Sequence, residues 1–392
     1  MNRIYIILLI LYAVLQSSCT ESFEIETIDF ENVLVVESTI TSEMKTQLVK
    51  LSRTSPLNEP GGVKEHNAVV KVVSSGGATY NFIEDGTTGD YYSNQMFQAQ
   101  PDVAYTLEVS TQSGENYIST GVVLPQAVEM DQVYAELDTK GGKQGVSVFV
   151  DTQDLTGNAK YFRYEYEETY KIVTPYVATL SAEVVNYNPS TDTYEIVTSQ
   201  RKPEPVCYST DYSTGIIQTA TADLTDNRVF HFPVRFIDED NPIFRERYSI
   251  LVKQYTQSIE AYTFYNIINE LGNVESLLSQ GQPGYVAGNM TSVENANKKV
   301  LGFFEVSPVA YKRIYFSNDD FGLDQPPYFV DCNRSSLNYN NPLEDRDILY
   351  QLLVNFNYQV LEENHPIYVV VQAECSVCTS FSSNVKPDFW ID

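Results

Sequence analysis

The chain has 392 residues, with 25 basic and 52 acidic side chains and a formal net charge of −27. This acidic balance argues against nucleic-acid binding, which needs basic patches that displace counterions from phosphates. It argues equally against spreading flat on an anionic bilayer. Tyrosine is unusually common at 29 residues, and with many valines and threonines it favours strands over helices. We therefore expect a mainly β protein whose acidic surface keeps it soluble.

The first residues have the features of a secretion signal. Arg3 gives a positive start, and Ile4 to Leu15 form an apolar segment shorter than the about 20 residues that a membrane-spanning helix needs. Two small serines, where a peptidase could cut, directly precede Cys19 and resemble the lipobox of bacterial lipoproteins, although Gln16 stands where that pattern usually has Leu. We therefore predict a signal peptide over residues 1–18 and lipid attachment at Cys19. The alternative is an ordinary secretion signal that leaves the Cys19 thiol unmodified.

Short alternating segments follow an acidic tether, which is predicted over residues 19–31. From residue 32 to Pro125, strand-like runs of about five to eight residues recur between turns such as SGGA and GTTGD. This spacing is typical of a small β-sandwich, so we predict an Ig-like or fibronectin-like domain over residues 32–125. The likeness is architectural, because the Cys, Trp and Cys framework of antibody domains is missing.

We predict a larger β-rich domain with a helix insertion over residues 126–392. Residues 161–170 alternate aromatic and polar side chains, as a sheet with one wet face requires. This aromatic face predicts a buried surface, and stacking on a glycan is the alternative. His231 lies within the strand-like VFHFPV, and we expect it to be a satisfied core residue.

The clearest helix is predicted at about residues 258–271, where apolar side chains recur at helical spacing. Ser258 can cap its start, and Gly272 can end it. We expect this amphipathic helix to pack across the second sheet. A second short helix is predicted from Asp345 to Phe356, with a partly extended segment as the alternative.

Four cysteines remain after Cys19, and an even number in an exported chain indicates two disulfides with three possible connectivities. They are Cys207, Cys332, Cys375 and Cys378. The CxxC at the end of this set leaves a zinc or redox site as the alternative. Zinc would need two further ligands, yet the histidines show no metal-site spacing. These histidines are His66, His231 and His365. A redox pair would begin a helix, whereas this CxxC follows a strand-like segment, and we expect no metal or other cofactor.

No pattern of catalytic residues is present in the sequence. It contains no GxSxG, no HExxH and no phosphate-binding glycine loop, and three scattered histidines give little material for a Ser–His–Asp triad. Paired carboxylates are expected by chance in so acidic a chain, so they do not select a glycosidase pair. We expect a protein that is not an enzyme, with a hydrolase as the remaining alternative. The sequence selects no catalytic and no ligand-binding residue.

Several blocks, taken in order, resemble a known family. ENVLVVESTIT follows the signal, VAGNMTSVENANKKVLGFFEVS follows the helix, and the chain ends in CSVCTSFSSNVKPDFW. They resemble the Bacteroidota outer-membrane lipoproteins catalogued as domain of unknown function 4249. The resemblance implies a lipidated Cys19 in the outer membrane, often beside a TonB-dependent receptor, and it implies no established activity.

We therefore expect a lipid-anchored outer-membrane protein that faces the cell surface. It would bind a TonB-dependent receptor or another outer-membrane barrel as an accessory in nutrient capture or uptake. Tethering in one membrane would raise the effective concentration of the two partners. The alternative is a structural or adhesive component of the cell envelope, including an accessory of barrel assembly, without a transport role.

Overall fold

The structure is a computed structural model. It describes residues 31–55, 62–191, 193–272, 286–341 and 345–392. Cys19, the predicted signal peptide and all but the last residue of the predicted tether lie outside the described residues. The described chain is mainly β with two α-helices, which confirms the expected fold class and both predicted helices. None of the described helices has both the length and the apolar character needed to cross a membrane.

The first part of the chain forms one nearly closed, barrel-like sheet, here called the N-terminal sheet. Its described strands are β1 Leu34–Thr41, β2 Leu48–Arg53, β3 Val63–Lys64, β4 Val69–Ser74, β5 Thr79–Glu84, β6 Tyr91–Ser93, β7 Ala104–Ser110, β8 Asn116–Ser119, β9 Val122–Val123, β19 Met290–Ser292 and β20 Val300–Ser307. They pair in the order β19-β8-β7-β4-β5-β6-β2-β1-β20, with β3 on β2 and β9 on β7. In β1, Leu34, Val36 and Ile40 are fully buried, because alternate side chains of a strand share one face.

Each strand segment predicted within residues 32–125 contains a strand, but the N-terminal sheet also takes in β19 and β20. β20 pairs in parallel with β1 along its whole length, from Leu34 opposite Val300 to Thr41 opposite Ser307. The sheet therefore closes through strands from beyond residue 125, where the sequence pattern predicts a separate domain.

Two glycines and an asparagine allow β20 to lie close to β1 and to the residues just before β19. Gly302 has a φ of +103°, and a Cβ there would lie 1.8 Å from the Val36 carbonyl oxygen. Gly288 approaches as closely, since its Cβ would lie 1.6 Å from the Gly302 oxygen. The Asn289 amide donates to the Phe304 carbonyl oxygen and accepts from the Phe304 N–H, both at 2.8 Å. A side chain thus supplies the pairing that the two strands do not make through their backbones.

The N-terminal sheet has two distinct ends. The end where β1 and β20 begin is here called the entry end, because the chain enters the sheet at Leu34. The opposite end is the junction end, where Ser307 is followed by Pro308 and then by the first strand residue of the next unit, Val309. Eight residues of β1 separate the two ends by roughly 25 Å.

Two sheets packed face to face form the central unit. The three-stranded sheet has the order β10-β11-β17, and its strands are β10 Gln132–Lys140, β11 Lys143–Gln153 and β17 Arg228–Asp238. The five-stranded sheet has the order β15-β12-β18-β21 with β16 on β12, and its strands are β12 Tyr161–Val173, β15 Val206–Tyr212, β16 Ile217–Ala220, β18 Tyr248–Thr256 and β21 Val309–Phe316. Both sheets contribute to one core, and in it Phe162 and Tyr164 of the aromatic face of β12 are buried. This face is therefore closed to a glycan.

Helix α1 (Ile259–Gly272) joins the N-terminal sheet to the central unit. Ser258 caps it as predicted, since its Oγ accepts from the Ala261 N–H at 3.2 Å. The Phe264 ring lies 5.4 Å from that of Phe303 in β20, whereas Tyr262 lies close to the central unit. The helix thus contacts the N-terminal sheet as well as the second sheet expected from the sequence.

A buried ion pair also joins these two units. Arg163 of β12 donates to Glu305 of β20 at 3.1 Å, and the two side chains are only 9% and 1% exposed. Arg163 also pairs with Glu165, and its guanidinium lies 4.4 Å from the centre of the Tyr255 ring. Gln257 donates to the other Glu305 oxygen at 3.0 Å. Both Glu305 oxygens thus receive a hydrogen bond where water is excluded, whereas Arg163 Nε and Gln257 Oε1 have no hydrogen-bond partner among the described residues.

The remaining elements form a small C-terminal unit. They are β13 Leu180–Asn188, β14 Thr193–Gln200, β22 Ser335–Asn338, α2 Asp345–Val354, β23 Tyr358–Asn364 and β24 Ile367–Gln372. The chain then returns to the central unit, where Trp390 is buried and its ring lies 5.0 Å from Tyr208. Beside it, the Arg313 guanidinium lies 3.6 Å from the centre of the Phe389 ring. The KPDFW end of the chain is thus a packed strap across the five-stranded sheet.

Candidate functional site

An irregularity in β17 creates the strongest candidate site. The register between β11 and β17 shifts so that Phe230 and His231 together lie opposite the single residue Asp151. His231 has a φ of +51°, in the left-handed region that residues with a side chain seldom adopt. This is a β-bulge, and it turns two consecutive side chains to the same face of the sheet.

The bulge overturns the prediction that His231 is a core residue, because its side chain is 44% exposed. Strict alternation through VFHFPV would place His231 inside and Phe232 outside. One extra residue reverses the faces from that point, and Phe232 packs against the core instead. Pro233 was the available signal, since a proline within a strand occurs mainly at edges and bulges.

Four aromatic side chains form the site, here called the His231 surface: Tyr134, Phe149, Phe230 and His231, of which Phe149 is buried. The His231 ring stacks on Phe149, with ring centres 3.7 Å apart and planes inclined by 14°. Phe230 is 67% exposed, and the Arg228 guanidinium lies 5.0 Å from its ring centre. The surface therefore presents one phenyl ring and one imidazole ring to solvent.

A buried carboxylate holds this surface in place. Asp151 is 1% exposed, and its Oδ1 accepts from the His231 backbone N–H at 2.7 Å and from the Tyr134 hydroxyl at 3.2 Å. Its Oδ2 accepts from Gln132 at 3.2 Å and lies 3.6 Å from Arg228. Burying a carboxylate costs several kcal/mol unless it is well bonded. Here the Asp151 carboxylate accepts the hydrogen bond from the His231 N–H, in place of the backbone carbonyl that a regular strand pair would supply.

The hydrogen bonds determine which imidazole nitrogen faces outward as an acceptor. Burial raises the pKa of the Tyr134 hydroxyl and the charge of Asp151 raises it further, so the hydroxyl stays protonated at neutral pH. The carboxylate can only accept, so the single Tyr134 proton goes to Asp151. The contact of 3.0 Å between the Tyr134 oxygen and His231 Nδ1 then requires Nδ1 to be the donor. In the neutral ring, Nε2 is therefore left as an acceptor.

A shallow depression of about 410 Å³ adjoins the His231 surface between β10 and β21. Its lining comprises Tyr134, Ala135, Ile314, Tyr315, Phe316, Asp320 and Phe321. Tyr134 belongs to both features, so the depression lies beside the exposed rings. A volume of this size is in the range of small-molecule sites.

The four predicted cysteines form two disulfides away from these aromatic rings. Cys207 is bonded to Cys378 and Cys332 to Cys375, closing loops of 171 and 43 residues. The two cysteines of the CxxC thus have different distant partners, which is not the arrangement of a CxxC redox pair. Both bonds fasten the segment that leads into the C-terminal strap.

The other histidines lie in different parts of the fold. His66 contacts Glu84 at 2.5 Å in the N-terminal sheet, and His365 lies beside Tyr339 in the C-terminal unit. Across the part of the chain that the structure describes, no three His, Cys, Asp or Glu side chains are grouped to hold a metal ion. Stacking faces and hydrogen-bond acceptors are what the His231 surface offers, and this chemistry is suited to binding.

A family model described as Domain of unknown function (DUF4249) matches residues 20–313. The matched span includes the whole N-terminal sheet, α1 and the His231 surface, and it ends within β21. No curated protein matches the chain.

Proposed function

The chain belongs to the DUF4249 family, and from that premise we propose that it is a lipid-anchored outer-membrane binding protein, accessory to a TonB-dependent receptor in nutrient capture or uptake. In this proposal Cys19 carries the lipid, and the His231 surface is the recognition face. The observation that carries the binding role is an exposed aromatic surface braced by the buried Asp151. The likeness to outer-membrane lipoproteins supports the location and the receptor.

The polarity of the fold supports this arrangement. Leu34 at the entry end lies fifteen positions after Cys19, and an extended chain of that length reaches at most roughly 50 Å. The central unit lies beyond the junction end, so a lipid at Cys19 would leave the His231 surface open to the surroundings. A receptor anchored in the same membrane would meet the protein at a high effective concentration.

Crosslinking in intact cells, followed by affinity capture and mass spectrometry, tests the proposal. We expect the full-length protein to recover an outer-membrane barrel and to carry acyl chains on Cys19. A Cys19→Ala variant should lose both the acyl chains and the crosslinked barrel. Recovery of no barrel, or of a secreted protein with an unmodified Cys19, would contradict the proposal.

Complementation of a deletion strain tests the nutrient role. A growth defect confined to one nutrient source is expected, and Phe230→Ala should fail to restore growth on it. Phe356→Ala is the matched control, because Phe356 is 64% exposed in the C-terminal unit and lies outside the His231 surface. General envelope fragility of the deletion strain would instead indicate a structural role.

A further inference from the structure

We infer that the His231 surface binds the ring of a neutral sugar, as a single residue of a longer glycan or as a free saccharide. The inference rests on the proposed recognition role of this surface and names the class of ligand. Three independent features of the site carry it: the exposed ring faces, the hydrogen-bond acceptors around them, and the local charge.

The exposed faces match the apolar side of a sugar ring. The face of an aromatic ring carries partial negative charge, and the C–H groups on one side of a pyranose are weakly positive. Phe230 offers such a face in solvent, and His231 offers its outer face because Phe149 covers the inner one. The centres of the Phe230 and His231 rings lie 6.1 Å apart with planes inclined by 35°. The two rings thus form a shallow, angled platform.

Acceptors beside the rings match the hydroxyl groups of a sugar. The bond from His231 Nδ1 to Tyr134 leaves Nε2 as an acceptor on a side chain that is 44% exposed, and no described residue hydrogen-bonds to it. The carboxylate of Glu136 lies 4.0 Å from His231 Nδ1, and this side chain is 54% exposed. A polyol placed on the rings would therefore find two oxygen or nitrogen acceptors within reach of its hydroxyls.

The local charge excludes anionic ligands. Carboxylates outnumber cationic side chains around the rings and the adjoining depression. The carboxylates belong to Glu136, Asp138, Asp151 and Asp320, and the cations are Arg228 and Lys140. A phosphate or an acidic sugar would be repelled here, while an uncharged polyol would not. A cationic ligand is the competing class, and its binding would weaken with salt.

Asp151 gives the site its preorganisation. It fixes the backbone of His231 and the hydroxyl of Tyr134 before any ligand arrives, so less conformational freedom is lost on binding. A solvent-exposed sheet face without a binding role would not require the buried Asp151 carboxylate or the left-handed backbone of His231. Asp151 is accordingly a positioning residue, which shapes the surface without touching the sugar.

Titration calorimetry and saturation-transfer NMR on the full chain, purified in a detergent without a sugar headgroup, test the inference. The probes are maltohexaose, cellohexaose, xylohexaose and mannohexaose. We expect at least one to bind, with an affinity unchanged between low and high salt and saturation transfer strongest to the ring C–H protons. Phe230→Ala should weaken that affinity about tenfold, and Phe356→Ala should leave it unchanged.

Asp151→Asn separates positioning from folding. If it weakens sugar binding while the near-UV spectrum and the unfolding midpoint stay close to those of the wild type, the positioning role holds. Failure of all four sugars to bind, equal binding by Phe230→Ala, or displacement by a lysine-rich peptide in a salt-dependent manner would each overturn the inference. These measurements need no receptor, so they can fail or succeed independently of the crosslinking experiment.

Discussion

Arg163 and Glu305 come from different units, and both are nearly inaccessible to water. Replacing Arg163 with Met would leave the Glu305 carboxylate buried beside an uncharged side chain. Breaking a buried pair in this way costs about 3–5 kcal/mol, so Arg163→Met should lower the free energy of unfolding by that amount in urea titrations. Most of this cost comes from leaving the Glu305 carboxylate buried without a partner, and less comes from losing its attraction to Arg163.

Arg334→Met is the matched control for this change. Arg334 pairs with Glu362 at 3.7 Å, but the two side chains are 51% and 68% exposed. Exposed pairs contribute about 0–1 kcal/mol, so the control should remain close to the wild type. Equal losses from the two variants would contradict the prediction that the buried pair contributes more to the free energy of unfolding than the exposed one.

Glu115 gives the fold an acid-sensitive contact at the entry end. A hydrogen bond from Lys298, with further bonds from Tyr117 and Arg53, lowers the pKa of Glu115 to about 2 from its usual 4.5. A lowered pKa means that this contact stabilises the fold above about pH 4.5 and is lost as the pH falls toward 2. Glu115→Gln should therefore be less stable than the wild type at pH 6, and this difference should shrink on acidification.

Unfolding midpoints measured from pH 6 to pH 2.5 check this expectation. Lys298→Met should reduce the same pH dependence, because Lys298 is the first cause of the shift. The Glu115 side chain is 32% exposed, so solvent screening keeps the effect modest. A constant difference between wild type and Glu115→Gln across this range would contradict it.

The role of a single residue can be predicted where it follows from composition, and it cannot be predicted where it depends on the local backbone geometry. Four cysteines beyond the predicted signal indicate two disulfides, yet only the fold determines that Cys207 reaches Cys378 across 171 residues. Alternation predicts a core position for His231 because a strict period of two does not allow for the extra residue of a bulge. The main signals of the site, a left-handed backbone and a buried Asp151, are invisible in the sequence.

At the scale of elements, the local patterns sufficed for the strands and helices, while long-range pairing did not follow from them. The alternation in β1 and the helical spacing of α1 are properties of short segments, and both appear where predicted. The parallel pairing of β1 with β20 joins segments far apart in the chain, and no local pattern encodes it. The block GN…VLGFF, which carries part of the family resemblance, contains Gly288, Asn289 and Gly302. Their role becomes clear only in the structure, where they form this closure.

Gly302→Ala tests this closure. A Cβ at Gly302 would collide with the Val36 carbonyl oxygen, and its φ of +103° strains any residue with a side chain. We expect a loss of more than about 2 kcal/mol in the free energy of unfolding, measured by urea titration, because backbone must move to relieve both. Asn289→Ala should cost about 1–3 kcal/mol by leaving the Phe304 backbone groups unpaired.

Gly215→Ala is the control for the glycine substitution. No atom lies within 4 Å of a Cβ built there, and its φ is not positive. This variant should stay within about 0.5 kcal/mol of the wild type. If Gly302→Ala were equally mild, β20 could not pass as close to β1 as the structure has it.

For the whole molecule, the sequence predicts consecutive domains, but the chain leaves the N-terminal sheet and later returns to it. It passes from β9 into the central unit, folds back through α1, and re-enters the sheet at β19 and β20. The buried Arg163–Glu305 pair and the Phe264–Phe303 contact lie on this return path. The N-terminal sheet and the central unit are therefore not consecutive along the chain, and a cut near residue 125 would remove two strands from the first of them.

Because buried contacts join the N-terminal sheet to the central unit, one labelled position in each is enough to test the orientation of the anchored protein. Ser113 lies in the β7–β8 turn at the entry end, since its neighbour Glu115 bonds Arg53, which pairs with Leu34. Lys140 ends β10 far from the junction end. β10 starts where Lys312 donates to the Asp131 carbonyl oxygen at 2.7 Å, and it then runs beside β21 away from the N-terminal sheet.

With a lipid at Cys19, the acidic body should stand away from an anionic bilayer, with Ser113 near the lipid and Lys140 roughly 50 Å farther out. A fluorophore on an unnatural residue at either position, with acceptor-labelled lipids in the liposome, measures this by energy transfer. We expect strong transfer from position 113, weak transfer from position 140, and none from either in Cys19→Ala, which cannot attach. Equally strong transfer from both positions would mean that the molecule lies on its side. The central unit would then be close to the bilayer, and the reason for placing recognition at the His231 surface would be lost.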